Sequence, residues 1–387
     1  MPIANRSANQ STRPEGQSAL AIDPIDTQSL QEVGIFVNGN HRSGTFLLRD
    51  NEAVCATTGQ EELEMLPIAE ALARYRWLRE KYWWRAVTPD TDDVTARIAA
   101  DQEPRGLFVR VKQGARVSLP CQAAMYVASN DTIQIAHNVM IIEDDAELTM
   151  ITGCATRHGL TAGRHWAVTE SYIGRNAVLT STMVHSWGKD VIVRPRAGTV
   201  VEAGGRYISN YVSLHPGASI ESNPKTWLNG VGASASYVSV ILGSPGSITD
   251  IGGEITLNAD DTSAEISQRG VSTGGKIYQR GFLVGNARGR AHVNCAGMLL
   301  DSSKEGLITS TPGLKAVSPD ATLSHEASIG RIAADQVAYL QARGLTEEDA
   351  ISMIIRGFLS ANIVGLGPEL DARIDEIAAL ASAAAHT

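Results

Sequence analysis

The chain has 387 residues, 43% of them hydrophobic and 19% charged, enough to bury a sizeable core in one large or two small units. Its net charge is −9, and no lysine and arginine cluster could neutralise a row of phosphates, which argues against nucleic-acid binding. No stretch approaches ~18 uninterrupted apolar residues, and the N-terminus lacks a basic start followed by an apolar run. The expectation is a cytoplasmic protein without a membrane span.

Residues 1–30 are rich in Ser, Asn, Gln and Pro and are expected to form a disordered tail. A helical region over 31–100 follows. Within it, Glu61 to Arg85 predicts one amphipathic helix after Pro67, with Ala69, Leu72, Ala73, Trp77 and Trp84 on a core-facing stripe.

From about Pro104 to Leu314 helical periodicity is lost, and short alternating segments restart after Gly, Asp or Asn turns. Small residues open them: Ala146, Ala177, Gly205, Ala218, Ala233, Ser247, Ser263 and Gly275, at intervals near 14 residues or near twice that. Reiterated turn and short strand predict a stacked β-solenoid core over 101–320. A β-sandwich also gives short strands, but the turn residues here repeat in kind as well as in spacing. Solenoid ends are exposed edges that need covers, and the flanking helical segments could supply them.

The C-terminal region, 321–387, predicts three helices. One begins at Ala333 and stops at Gly344. A second is capped by Thr346 with Ile351, Ile354, Ile355 and Phe358 on one face, and a third opens at Pro368 with Leu370, Ile374, Ile377 and Leu380 in a stripe. Their apolar faces suit a docking module.

Catalytic motifs are scarce. "GVSTGGKI", Gly270 to Ile277, satisfies GxxxxGK but has Ile277 where a magnesium-binding hydroxyl belongs and falls inside the strand repeat, so it reads as a solenoid corner. G-x-S-x-G and HExxH are absent. The cysteines, Cys55, Cys121, Cys154 and Cys295, form no CxxC pair, which favours reduced thiols. Each alone is more often a small buried hydrophobe than a reactive group. Cys154 stands out because Arg157 and His158 would favour its thiolate, and Cys295 because it ends the repeats about thirty residues before "LSHEASIG". Thiolate, imidazole and carboxylate can together ligate iron or zinc. In a regular strand, however, His325 and Glu326 point to opposite faces, so one ion could take both only at a strand end, a bend or a subunit boundary.

These segments resemble the SufB/SufD family of iron–sulfur cluster assembly scaffolds. "LSHEASIGRIAADQVAYLQARGLTEEDAISMIIRGFL" is similar to its C-terminal segment, "NCAGMLLD" and "ITGCATRHG" to the two SufB cysteine segments, and "VHSWGKD" to a tunnel-lining strand. "ALARYRWLREKYWWRAV" resembles the helix before the core in short, archaeal-type members. The resemblance implies a mainly β fold, a right-handed parallel β-helix flanked by α-helical regions, and a scaffold rather than an enzyme. It also implies a nascent Fe–S cluster at a dimer interface, bound by Cys295, His325 and Glu326. Cys154 would accept sulfur, and His185, Trp187 and Arg194 would line its path, with Arg196 as the other basic counterpart. Implied partners are a SufC-like ABC ATPase docked on 321–387, a second copy or a SufB/SufD paralogue, and a cysteine desulfurase or its carrier. Ser324 stands where SufB has glutamate, while Glu326 stands where SufD has glycine, so the chain resembles an undivided ancestor acting as a homodimer. The alternatives are a SufD-like structural subunit that holds no cluster, and a carbohydrate-active β-helix, for which no line of acids is apparent.

Overall fold

The computed structural model describes residues 23–300, 305–360 and 368–384. The chain opens with helix α1 (Pro24–Glu32), strands β1 (Gly44–Arg49), β2 (Glu52–Thr58) and β3 (Leu63–Pro67), and short helices α2 (Ile68–Arg74), α3 (Arg76–Lys81) and α4 (Asp93–Ala99). There follow β4 (Leu107–Val111), β5 (Cys121–Val127), β6 (Ile133–Ile142), β7 (Glu147–Thr156), β8 (Ala162–Ile173), β9 (Val178–Trp187), β10 (Asp190–Val201) and β11 (Arg206–Pro216). Next come β12 (Ser219–Ser222), β13 (Lys225–Leu228), β14 (Ser234–Gly243), β15 (Ile248–Ile251), β16 (Glu254–Leu257) and β17 (Thr262–Ser272). The last strands are β18 (Lys276–Gly285), β19 (Gly289–Leu299), β20 (Leu307–Ala316) and β21 (Ala321–Arg331), before α5 (Ala334–Gln341), α6 (Glu347–Ser360) and α7 (Pro368–Ala384).

The strands form a right-handed parallel solenoid with two long faces. One sheet runs β2, β1, β5, β7, β9, β11, β14, β17, β19, β21; the other runs β12, β15, β18, β16, β13, β10, β8, β6, β4, β3, with β20 added on β18. Among the described strands only the N-terminal pairs β1–β2 and β3–β4 are antiparallel. Cys154 lies opposite His185, 31 residues on, and Ile266 opposite Val293, 27 residues on, so one turn is two of the half-length repeats. The corners explain the recurring small residues. Asp145, Asn176, Gly204 and Gly232 stack at one corner with φ of 60°, 55°, 66° and 71°, each just before one of the small residues that open a strand. Gly, Asn and Asp tolerate that left-handed backbone best, so the turn writes itself into the sequence.

The interior is filled by alternate residues of both sheets, among them Met125, Leu148, Leu179, Ile241, Ile277 and Val293. Outside, α1 and the α6–α7 pair cover the first sheet against Tyr126, Val184, Val212, Val240 and Val271. On the second sheet, α2 and α3 pack Ile68, Ala71 and Leu78 on Phe108 and Val139. The strap after α3 is pinned by Glu170. This fully buried carboxylate accepts from the backbone N–H of Trp84, Arg85, Ala86 and Val87 at 2.7, 2.6, 2.7 and 3.2 Å, and lies 2.8 Å from His137 Nε2.

Several expectations change. The single helix expected after Pro67 does start there, but it is two short helices, broken at Tyr75 with φ −119° and ψ 97°. Leu63 and Met65 fill the solenoid interior as a strand, and the break turns Leu78 inward, which one continuous helix would not do. The aromatic residues do pack as core, with Tyr75 and Trp77 5.2 Å apart. The region expected to be helical over 31–100 thus supplies three strands, and the solenoid extends past 320 through β21, where Leu323 still packs on the core. Of the expected tail, residues 1–22 lie outside the described residues, and α1 starts at Pro24 with Asp23 accepting from the Ile25 N–H. At the C-terminus Gly344 has φ 96° as a helix stop, and Thr346 caps α6 through the Asp349 N–H at 3.1 Å. The Leu370 side chain lies outside the described residues. "GVSTGGKI" is the corner between β17 and β18, with no helix to hold a phosphate.

Candidate functional site

Parallel pairing fixes the inner rows of the first sheet. Ala123, Thr152, Met183, Tyr211, Ser239, Gln268, Cys295 and Ala327 follow one another in register across successive strands. Cys295 is fully buried within the interior cluster. Two residues along the strands, the next inner row carries Cys154 opposite His185, and His185 opposite Ser213. Both thiols therefore face the same interior, five strand steps apart, or ~24 Å at ~4.8 Å per step. Along this interior lies a cavity of about 110 Å³ lined by Met125, Met150, Met183, Tyr211, Ser239 and Ile251, among others, with neither thiol in its wall.

Polar groups punctuate this interior. The Tyr211 hydroxyl and His185 Nδ1 are 3.1 Å apart, and the His185 ring lies 5.5 Å from Trp187. Trp187 is 5.2 Å from His165, and its buried Nε1 has no hydrogen-bond partner among the described residues. Burial pushes His185 down to about 3, with neighbouring His165 adding to the fall, so the imidazole is neutral. At the far end, Cys295 Sγ donates to Gln268 Oε1 at 3.5 Å.

The thiols are not set up as free thiolates. Burial pushes Cys154 up to about 12 and Cys295 up to about 11, the latter despite the pull of the Arg269 guanidinium. The expectation that Arg157 and His158 activate Cys154 fails, because both turn outward to α1. Arg157 pairs with Asp23 at 2.6 Å and His158 with Glu32 at 3.0 Å. Arg194 also leaves the expected path: it follows the inward Val193 on β10, faces out and pairs with Glu221 at 3.6 Å. Arg196 also pairs with Glu221, at 2.9 Å, yet it is among the residues that line the cavity. His185 and Trp187 do face the interior.

β21 forms the open end of the first sheet. His325 lies opposite Val293 and Glu326 opposite Asn294. Leu323 packs inward and Ser324 Oγ meets the outward His292 Nδ1 at 2.8 Å, so the strand alternates regularly. By the same alternation His325 is on the inner side, in the row next to Cys295, and Glu326 on the outer side. Both are exposed. Among the described residues no three His, Cys, Asp or Glu side chains of this chain converge as one metal site.

The family of the SUF system FeS cluster assembly, SufBD core domain, matches residues 125–358, from β5 through α6. The chain belongs to the SufB/SufD family. A SufBD family iron–sulfur cluster assembly protein of Methanothermobacter thermautotrophicus is 40% identical over 350 residues, covering 89% of this chain and 85% of the relative. One from Archaeoglobus fulgidus is 38% identical over 351 residues, covering 90% and 93%. The iron–sulfur cluster assembly protein SufB of Bacillus subtilis is 26% identical over 281 residues, covering 71% and 60%. As a SufBD protein the chain is a scaffold of the SUF system and not an enzyme. None of its described helices is long and apolar enough to cross a membrane.

Sequence reading passed over Tyr211 and Gln268. Gln268 lies 27 residues before Cys295, one coil earlier, so stepping back by the solenoid period from each cysteine would have found the row.

Proposed function

We propose that this SufBD protein accepts sulfur at Cys154 from a cysteine desulfurase or its carrier, conducts it through the solenoid, and assembles a nascent Fe–S cluster at Cys295 and His325. The observation that carries the reading is that Cys154 and Cys295, far apart in sequence, lie on inner rows of the same sheet and are both buried in one solenoid interior. Direct attack of one thiol on the other's persulfide cannot bridge ~24 Å. Hydrosulfide serves as the carrier: it attacks the outer sulfur of the Cys154 persulfide, releasing Cys154 thiolate and disulfane. The Cys295 thiol then attacks disulfane, its proton passing to the departing sulfur, to give the Cys295 persulfide and hydrogen sulfide, which protonates the Cys154 thiolate and so returns to hydrosulfide. Each exchange breaks one S–S bond and makes one, with no net oxidation.

The cluster site is completed by a second copy. Among the described residues β21 is the last strand of its sheet, with a free backbone edge that favours pairing with another chain, and Ile329 stands 45% exposed on it. A two-fold axis there brings Cys295, His325 and Glu326 twice to one seam, and Glu326 of one chain can meet His325 of its partner although they diverge within a chain. A SufC-like ATPase docks on α5, which has no buried residue, and on the outer side of α6, where Met353 is 52% exposed. The four free thiols suit a reducing, cytoplasmic setting.

Anaerobic reconstitution with iron and sulfide tests the site. Cys295→Ser and His325→Ala are expected to lose most bound iron and acid-labile sulfide, while unchanged content in both variants removes these residues from the cluster.

A further inference from the structure

The internal cavity stops one coil short of Cys295. On the thiol's own row its last lining residue is Ser239, and on the facing sheet Ile251. The next residue after Ser239 is Gln268 and the next after Ile251 is Gln279. These two carboxamides are 1% and 0% exposed. Gln268 reaches across the interior: its Nε2 donates to the backbone oxygens of Ile251 and Arg280, both at 3.3 Å, while its Oε1 holds the Cys295 thiol. Gln279 crosses the other way. Its Nε2 donates to the Ala296 oxygen at 3.1 Å, beside Cys295, and its Oε1 accepts from Ser310 at 2.8 Å.

An aliphatic pair would seal the same level without needing partners for buried amides, whose desolvation is costly unless every bond is made. What carboxamides add is a closure held by a few directional bonds, which a side-chain rotation can exchange. Ser310 lies on β20, a strand at the solenoid's open end, so the latch is tied by one hydrogen bond to the edge where a second copy would sit.

We propose that Gln268 and Gln279 form a crossed latch that shuts the internal cavity off from Cys295, and that sulfur reaches Cys295 only when the Gln268 carboxamide swings aside. The proposal rests on the sulfur path above and adds its regulation: loading of the assembly thiol waits on the latch.

The test uses the full chain in a Cys55→Ser, Cys121→Ser background, with a cysteine desulfurase, ³⁴S-labelled cysteine and sulfide. Label at Cys154 and Cys295 is followed by peptide mass spectrometry. Gln268→Ala, which opens the space and removes all three hydrogen bonds of that side chain, is expected to speed arrival at Cys295 about tenfold. Gln268→Leu, which keeps the volume, is expected to match or fall below the wild type. Arrival in Gln268→Ala no faster than in the wild type, with Cys154 loaded equally, overturns the latch. Label that loads Cys154 and never reaches Cys295 in any variant instead refutes the path. The latch is then judged by xenon in pressurised crystals of the wild type, Gln268→Ala and Gln279→Ala. Xenon should pass Ser239 toward Cys295 only in the variants; passage in the wild type, or a stop at Ser239 in both variants, overturns it.

Discussion

At the scale of single residues, this interior stores neutral groups. Burial pushes His165 to about 4 and His185 to about 3, and it also lowers His137, whose Nδ1 has no described partner to accept a second proton. Burial alone would raise the Glu170 carboxyl, yet His137 and the strap's backbone N–H groups outweigh it and hold it low. All these folded values are depressed, so below pH ~6.5 the unfolded chain binds protons on its histidines that the folded chain refuses. Stability is fully present above that value and declines as pH falls. At pH 5.5 the loss is about 1.4 kcal/mol for each strongly depressed histidine. Urea midpoints are therefore expected to drop between pH 7.5 and 5.5, and His185→Gln should flatten the drop; a midpoint indifferent to pH contradicts the account. The cysteines and His185 were legible in the sequence. Their environment was not, because Arg157 and His158 are sequence neighbours of Cys154 whose side chains leave it for α1.

At the scale of elements, the α6–α7 pair is a cover whose apolar side is already in use. Ile355, Leu359, Ile374 and Ile377 are fully buried in the cluster over β11, β14 and β17. The helical stripes and the Thr346 cap could be read directly, since amphipathic spacing and capping are local. That the stripes bury on their own solenoid, leaving residues such as Met353 exposed on the other side, depends on contacts distant in sequence. The helix broken at Tyr75 illustrates the same limit: local periodicity supported one helix, and the packing of Leu78 on Phe108 and Val139 overrode it. Ile355→Ala is expected to cost ~2–5 kcal/mol. Hydrogen exchange should then show α6 and α7 losing protection while β7 through β19 keep theirs. Loss of protection through the strands as well would make the pair part of the solenoid's cooperative unit.

At the scale of the whole molecule, the repeat was legible because each coil needs a residue tolerant of left-handed backbone at the same corner, as at Asp145, Asn176, Gly204 and Gly232. Register was not, since coil lengths drift between 27 and 32 residues and only pairing shows which side chains share a row. Register is also what gives the two cysteines a common interior and leaves His325 and Glu326 on opposite sides of an open edge. The measurement that bears most directly on the proposed path is persulfide mapping after incubation with a cysteine desulfurase, cysteine and sulfide. In the wild type, persulfide is expected on both Cys154 and Cys295. Cys295→Ser should leave Cys154 loaded, and Cys154→Ser should leave Cys295 bare. Cys295 persulfide at the wild-type level in Cys154→Ser would contradict the account.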